Sequence, residues 1–174
     1  FLHLGAAFRF VGDDDGKLRY KGRPESNVGS NFVDTGDLPS TGATHLGFEA
    51  LLNVRQYSVT SEYTHAWVRS PVNGNPQFSG FYITGSWIVT GETRPYDRTV
   101  GYTRRIIPQR RSGAFELVAR YGFVDLDDGI VRGGTFHKTY FALNWWASRQ
   151  WKFGIGWGHT WLDRFDSKGL IDSV

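Results

Sequence analysis

Apolar and polar residues change places at nearly every position over stretches of about ten residues, and this period of two limits the chain more than anything else in it. From Trp151 to Trp161, the residues Trp151, Phe153, Ile155, Trp157 and Trp161 stand against Lys152, Gly154, Gly156 and Gly158. A helix repeats every 3.6 residues and cannot keep such a set on one side; a strand with one apolar and one wet face does. Seven further segments read the same way. Phe1–Phe10 sets Leu2, Leu4, Ala6, Phe8 and Phe10 against His3, Gly5, Ala7 and Arg9. Lys17–Arg23 sets Leu18 and Tyr20 against Lys17, Arg19, Lys21 and Arg23. Thr44–Val54, Tyr57–Val68, Phe78–Val89, Ala114–Val124 and Phe136–Trp146 follow, with His45, Glu49, Glu62, Tyr82, Glu116, Arg120 and Lys138 among their polar members. Runs near ten residues match tilted strands that cross a bilayer core, whereas soluble strands average about five or six. Aromatic residues also fall near the ends of the runs (Tyr57 and Trp67, Phe81 and Trp87, Trp151 and Trp161), as interfacial girdles require.

Composition narrows the choice. Aromatic residues make up 16% of the 174 and glycine accounts for 22 of them, yet mean hydropathy is negative and no stretch is long and apolar enough for a spanning helix. The expectation is an all-β chain, a transmembrane antiparallel up-and-down β-barrel; a soluble sandwich or lipocalin-like barrel has the same alternation and is the alternative. No cysteine is present, so neither a disulfide nor a thiolate metal site is expected. The opening "FLHLGAAFRF" is too short and too alternating for a signal peptide, so the chain reads as a processed product or a piece of a longer one. Tight links such as "NVRQ" and "ASRQ" alternate with longer ones, "GDDDGK", "SPVNGNPQ", "DLDDGIVRGG" and the terminal "LDRFDSKGLIDSV", as short periplasmic turns alternate with outer loops. One link breaks that rule. By strand parity the stretch around 90–112 belongs on the short-turn side, yet it is about two dozen residues long, and links of that length are usually functional or disordered.

"FSGFYITGSWIVTGETRPYDR", "GAFELVARYGFVDLDDG" and "FALNWWASRQWKFGIGW" resemble the C-terminal half of the phosphate- and polyphosphate-selective outer-membrane porins, the porin O and P family, from about Phe78 to Trp161. The resemblance implies a sixteen-stranded barrel in the bacterial outer membrane, of which about eight strands are here, a homotrimer, a lumen lined with arginine and lysine that passes anions, and a long connection folded into the pore. No C-terminal aromatic ends the chain and Val174 falls in what reads as a loop, so a C-terminal fragment without its first and last strands is expected. A complete eight-stranded barrel is the rival, with an interior too narrow for two dozen extra residues.

The bases carry the expected chemistry. Lys17, Arg19, Lys21 and Arg23 at spacing two would form a row of charges about 6–7 Å apart. Arg94, Arg98, Arg104, Arg105, Arg110 and Arg111 crowd the long link, with Asp97 and Glu92 to offset part of the charge. Guanidinium groups bind phosphate bidentately and stay protonated, and rings of Arg and Lys suit an anion pore. Arg120 and Lys138 on strand faces complete the candidates. The expected partners are inorganic phosphate or another oxyanion and outer-membrane lipid. Blander readings exist: Lys17–Arg23 as a solvated sheet face, Arg94–Arg111 as a basic loop of a soluble or surface β-domain that binds polyanions such as nucleic acid or lipopolysaccharide phosphate, and Arg120 as the partner of Glu116 four residues away; none of these is the leading reading. Nucleic acid is not an expected partner. "GIGWG" lacks the following helix of a dinucleotide loop. "DDDG" and "DLDDG" lack the calcium-loop Glu at position twelve, where Pro24 and Phe136 stand. The five histidines have no ligand spacing and no nucleophile constellation stands out, so no metal, cofactor or enzyme activity is expected.

Overall fold

The computed structural model describes residues 1–12, 15–23, 30–165 and 167–173. Its framework is eight long strands: β1 (Leu2–Val11), β2 (Ala43–Val54), β3 (Tyr57–Val68), β4 (Gln77–Ile88), β5 (Ala114–Asp128), β6 (Val131–Trp146), β7 (Lys152–Arg164) and β8 (Ser167–Ser173). Each pairs antiparallel with the next in chain order, so one up-and-down sheet runs from β1 to β8 as its two edges. The sheet is open: no ladder joins β1 to β8 among the described residues.

Register sorts the side chains into two faces, because residues directly opposite in an antiparallel pair point the same way. One row reads Tyr57, Trp87, Leu117, Leu143, Ile155 across β3 to β7. A second reads Tyr63, Phe81, Phe123, His137, Trp161, Leu170 across β3 to β8. This face is apolar and uncovered: Leu4 is 70% exposed, Ile155 67% and Trp151 66%. One row further out it turns polar, through His65, Ser79, Asp125, Thr135, Asp163 and Lys168. The opposite face carries Glu49, Glu62, Tyr82, Gly122, Lys138 and Thr160 in one row, and Thr60, Thr84, Arg120, Tyr140 and Gly158 in the next.

Three sequence expectations are corrected. Lys17–Arg23 is not a strand of the sheet. Lys17–Leu18 pairs with Leu38–Pro39 and Lys21–Gly22 with Val33–Asp34, inside the connection between β1 and β2. The alternation is real but records a local two-armed ladder that turns Leu18 and Tyr20 onto an apolar cluster of Val33, Leu38, Ala43, Ala66, Val68, Phe78, Leu126, Val131 and Phe136. The segment before the chain end is a strand, since Ser167–Ser173 pairs with Gly158–Arg164, so the count of eight stands with one member exchanged; Val174 lies outside the described residues. The stretch "DLDDGIVRGG" is not a long loop either. Strands β5 and β6 continue through it to a two-residue turn, Gly129–Ile130, with Gly129 at φ 56°, the positive φ that a hairpin with glycine at its first central position needs.

The same face is covered at both ends. The β1–β2 connection packs over one end through the cluster just described. At the other end Ile106, from the β4–β5 connection, is fully buried against Ile88, Ala114 and Trp146. A polar band lies between the two caps.

Candidate functional site

The connection of residues 89–113 carries the six arginines, and it is folded rather than structureless. Tyr96–Asp97 pairs with Tyr102–Thr103, and Gly101 (φ 72°) closes the turn with its N–H on the Asp97 carbonyl at 2.9 Å. Asp97 builds this turn twice over. Its carboxylate accepts from the Thr99 N–H (2.8 Å) and from Arg104 (Nη2 2.6 Å, Nε 2.9 Å). The Arg104 guanidinium, then the Thr99 N–H, holds this carboxyl below the ordinary carboxylate range. At the neck, Glu92 is buried and accepts from the Thr90 hydroxyl and from the Gln109 N–H (3.3 Å), which ties the two ends of the connection together. Burial alone would raise its pKa; the Thr90 hydroxyl and the backbone N–H groups outweigh that and lower it.

The connection lies against the polar face from both sides. Toward β1 and β2, Tyr96 Oη is hydrogen-bonded to His3 Nδ1 (2.7 Å) and Asn53 Nδ2 donates to the Arg94 carbonyl (2.6 Å). Toward β5 and β6, Arg94 is ion-paired with Glu116, whose other oxygen accepts from Asn144 Nδ2 and Trp146 Nε1, each at 3.1 Å. The six arginines thus divide. Arg94 and Arg104 are engaged by carboxylates of the chain itself. Arg105 reaches the Gln150 carbonyl at 3.4 Å. Arg98, Arg110 and Arg111 are exposed, with Arg110 close enough to Glu92 to favour its ionised form.

A second basic group lies mid-face. Arg23, Arg120 and Lys138 line a cleft of about 340 Å³ with Glu62, Tyr82 and Tyr140. The Arg120 guanidinium lies 3.9 Å from the centre of the Tyr82 ring, and Tyr82 Oη donates to Glu62 Oε1 at 2.6 Å. Lys138 Nζ is 5.9 Å from the Tyr140 ring and its side chain is buried. Arg120 therefore does not pair with Glu116. Four residues along a strand is about 13 Å, too far for an ion pair, and the four-residue rule belongs to helices.

The other candidates sit apart. Arg19 makes a bidentate pair with Asp34 (Nε–Oδ1 2.7 Å, Nη2–Oδ2 2.6 Å) and lies 3.8 Å from Asp37. Lys17 and Lys21 are exposed on the same arm, while Arg23 donates to Asn31 Oδ1 (3.1 Å). The expected row of four equal charges is thus broken at Arg19, because the returning arm brings Asp34 to it. Glu62, Tyr82 and the role of Glu116 are functional candidates that only the structure singles out; their shared signal in the sequence is polarity on the strand face that also carries the bases. No group of three or more metal-ligating side chains occurs among the described residues. Asp13 and Pro24, which entered the calcium-loop test, lie outside the described residues.

Comparison with known proteins agrees with this architecture. A family model described as phosphate-selective porin O and P matches residues 5–159. A protein of Caulobacter vibrioides (strain ATCC 19089 / CIP 103742 / CB 15), described as uncharacterized, is 29% identical over 167 residues, or 90% of this chain and 33% of that protein. The chain spans about a third of the length of this curated relative.

Proposed function

The chain belongs to the phosphate-selective porin O and P family, and from that premise we propose that it forms part of a transmembrane β-barrel in a bacterial outer membrane, a passive pore for phosphate or a related oxyanion. The observation that carries the reading is the pairing of faces. One side of the sheet is a continuous uncovered apolar surface, far larger than a soluble monomer presents. The other side is polar and has a basic connection packed on it. In this reading the apolar face meets lipid or a neighbouring subunit of a homotrimer, the open edges β1 and β8 continue into further strands of a sixteen-stranded barrel, and residues 90–112 lie in the lumen.

The bases then act in two stages. Arg98, Arg110 and Arg111 on the connection meet the anion at a narrow zone, where the fork of a guanidinium matches two phosphate oxygens. Arg23, Arg120 and Lys138 receive it mid-face. Tyr82 and Glu62 orient the Arg120 guanidinium, so that charge is presented without a flexible search. A file of such sites lets the anion exchange one counter-charge for the next, so binding is strong enough for entry and shared enough for exit.

The test uses the full-length protein in planar bilayers. Changing Arg98, Arg110 and Arg111 together to Ala should weaken the block of chloride current by phosphate about tenfold or more, given that a hydrogen bond to a charged group contributes about 1.5–3 kcal/mol, while the barrel stays folded. An unchanged block in a folded triple variant refutes the assignment of the narrow zone.

A further inference from the structure

We infer that Arg94 and Glu116 form a latch that holds the arginine connection across the polar face, so that Arg94 is a positioning residue for the narrow zone and not one of the groups that meet the passing anion. The inference rests on the pore reading for what is being positioned, and on local geometry for the latch itself. Glu116 lies on β5 and is 2% exposed; Arg94 is 17% exposed and 22 residues away in the chain. A buried carboxylate persists only when its oxygens are satisfied. Here one oxygen takes the Arg94 guanidinium, and the other takes Asn144 Nδ2 and Trp146 Nε1 from β6. Among the described residues the sheet supplies two neutral donors and the connection supplies the charge partner.

That asymmetry makes the pair a latch. If the connection lifts away, Glu116 keeps its two neutral donors but is left as an uncompensated buried charge, the costly way to break such a pair. The Arg94 guanidinium also lies over the Trp146 ring, 6.0 Å from its centre. Its backbone carbonyl is held from the opposite side by Asn53. Residue 94 is therefore gripped by β2 through its main chain and by β5 and β6 through its side chain. Both hydrogen-bonding oxygens of its partner are committed, and its own charge is matched within the protein. The polar space beside it, about 380 Å³ lined in part by Thr84, Thr103 and Lys152, is bounded by the latch.

The test is limited proteolysis of the full-length protein, folded in detergent or lipid, with single-channel recording in parallel. The arginines from Arg98 to Arg111 are themselves trypsin sites, so cleavage there, read by mass spectrometry, reports release of the connection. E116Q keeps the shape of the side chain and removes its charge; cleavage between 98 and 111 should rise about tenfold or more and chloride conductance should rise with it. R94K keeps the charge but loses the fork, and should give a smaller rise in both. Because the two side chains act through one contact, R94K with E116Q should be cleaved no faster than E116Q alone. Heat-dependent electrophoretic mobility confirms that each variant is folded, and R94K decides the matter if E116Q does not assemble. Native cleavage and conductance in R94K, with a weakened phosphate block, would overturn the latch and make Arg94 an anion ligand. Should the native pore show no anion preference at all, the functional reading fails, while the cleavage result still decides the latch.

Discussion

Ile155→Arg probes the face that the account assigns to lipid. Strand β7 carries Trp151 just before its start and Trp161 near its end, ten positions apart. At about 3.3 Å per residue that separation is about 33 Å along the strand, and a tilt of about 35–45° projects it to roughly 23–27 Å, the height of the apolar band of an outer-membrane barrel. Ile155 is four positions from one tryptophan and six from the other, near the middle of the band. Its row neighbour Leu143 and the residues beyond, Leu117 and Trp87, offer an arginine no acidic partner. An arginine at this depth costs about 2–4 kcal/mol, roughly a 30- to 900-fold loss in the folding equilibrium. Leu170→Arg is the control: it lies in the outermost apolar row, next to the row of Asp163 and Lys168, and should cost at most about 1 kcal/mol. The assay is a denaturant titration of full-length protein folding into lipid vesicles. Equal effects of the two substitutions, or a neutral Ile155→Arg, would mean that this face does not meet lipid.

Two further outcomes are expected. The Arg19 guanidinium, then the Gly36 N–H and Asn31, keeps the Asp34 carboxyl well below its usual range against the effect of burial. A depressed folded pKa stabilises the arm above the unfolded value of about 3.9 and loses that stabilisation as pH falls from there through the folded value; protease protection at residues 17–23 and 30–40 should therefore drop in acid in the native protein and be low and flat in Asp34→Asn. Gly113→Ala should destabilise the start of β5 by about 1–2 kcal/mol from backbone conformation alone, because Gly113 sits at φ 86° and a Cβ there would meet the Trp146 carbonyl at 2.5 Å; thermal melting of the folded pore in detergent measures it, and an unshifted melt would show that the close approach is not maintained.

How much of this was legible depends on what each signal encodes. Period-two alternation encodes which face a side chain takes, so the apolar side of Ile155, Leu143 and Trp87 and the polar side of Arg120 and Tyr140 are readable without the structure. It does not encode the partner. Lys17–Arg23 alternates as well as any strand, yet pairs with its own connection, because Asp34 and Leu38 return to it. Ser167–Ser173 was hidden for the opposite reason: Leu170 and Ile171 are its only apolar residues, and pairing with β7 makes it a strand. A turn at "DLDDG" is legible from its Asp-Gly step, but its tightness is not: the acidic residues suggest a longer loop, although Leu126 and Val131 continue the alternation into the buried cluster. The arginine run declared its charge but not its compensation. Asp97 is local and visible; Glu116 is a strand residue whose role follows only from the register that brings Asn144 and Trp146 beside it.

If the polar face and its arginine connection line a pore for anions, the full-length protein in a planar bilayer under a tenfold potassium chloride gradient should give a reversal potential of the sign set by chloride, close to the ideal limit of about 59 mV for one monovalent ion. A potential of the opposite sign, set by potassium, would show that the lumen does not select anions.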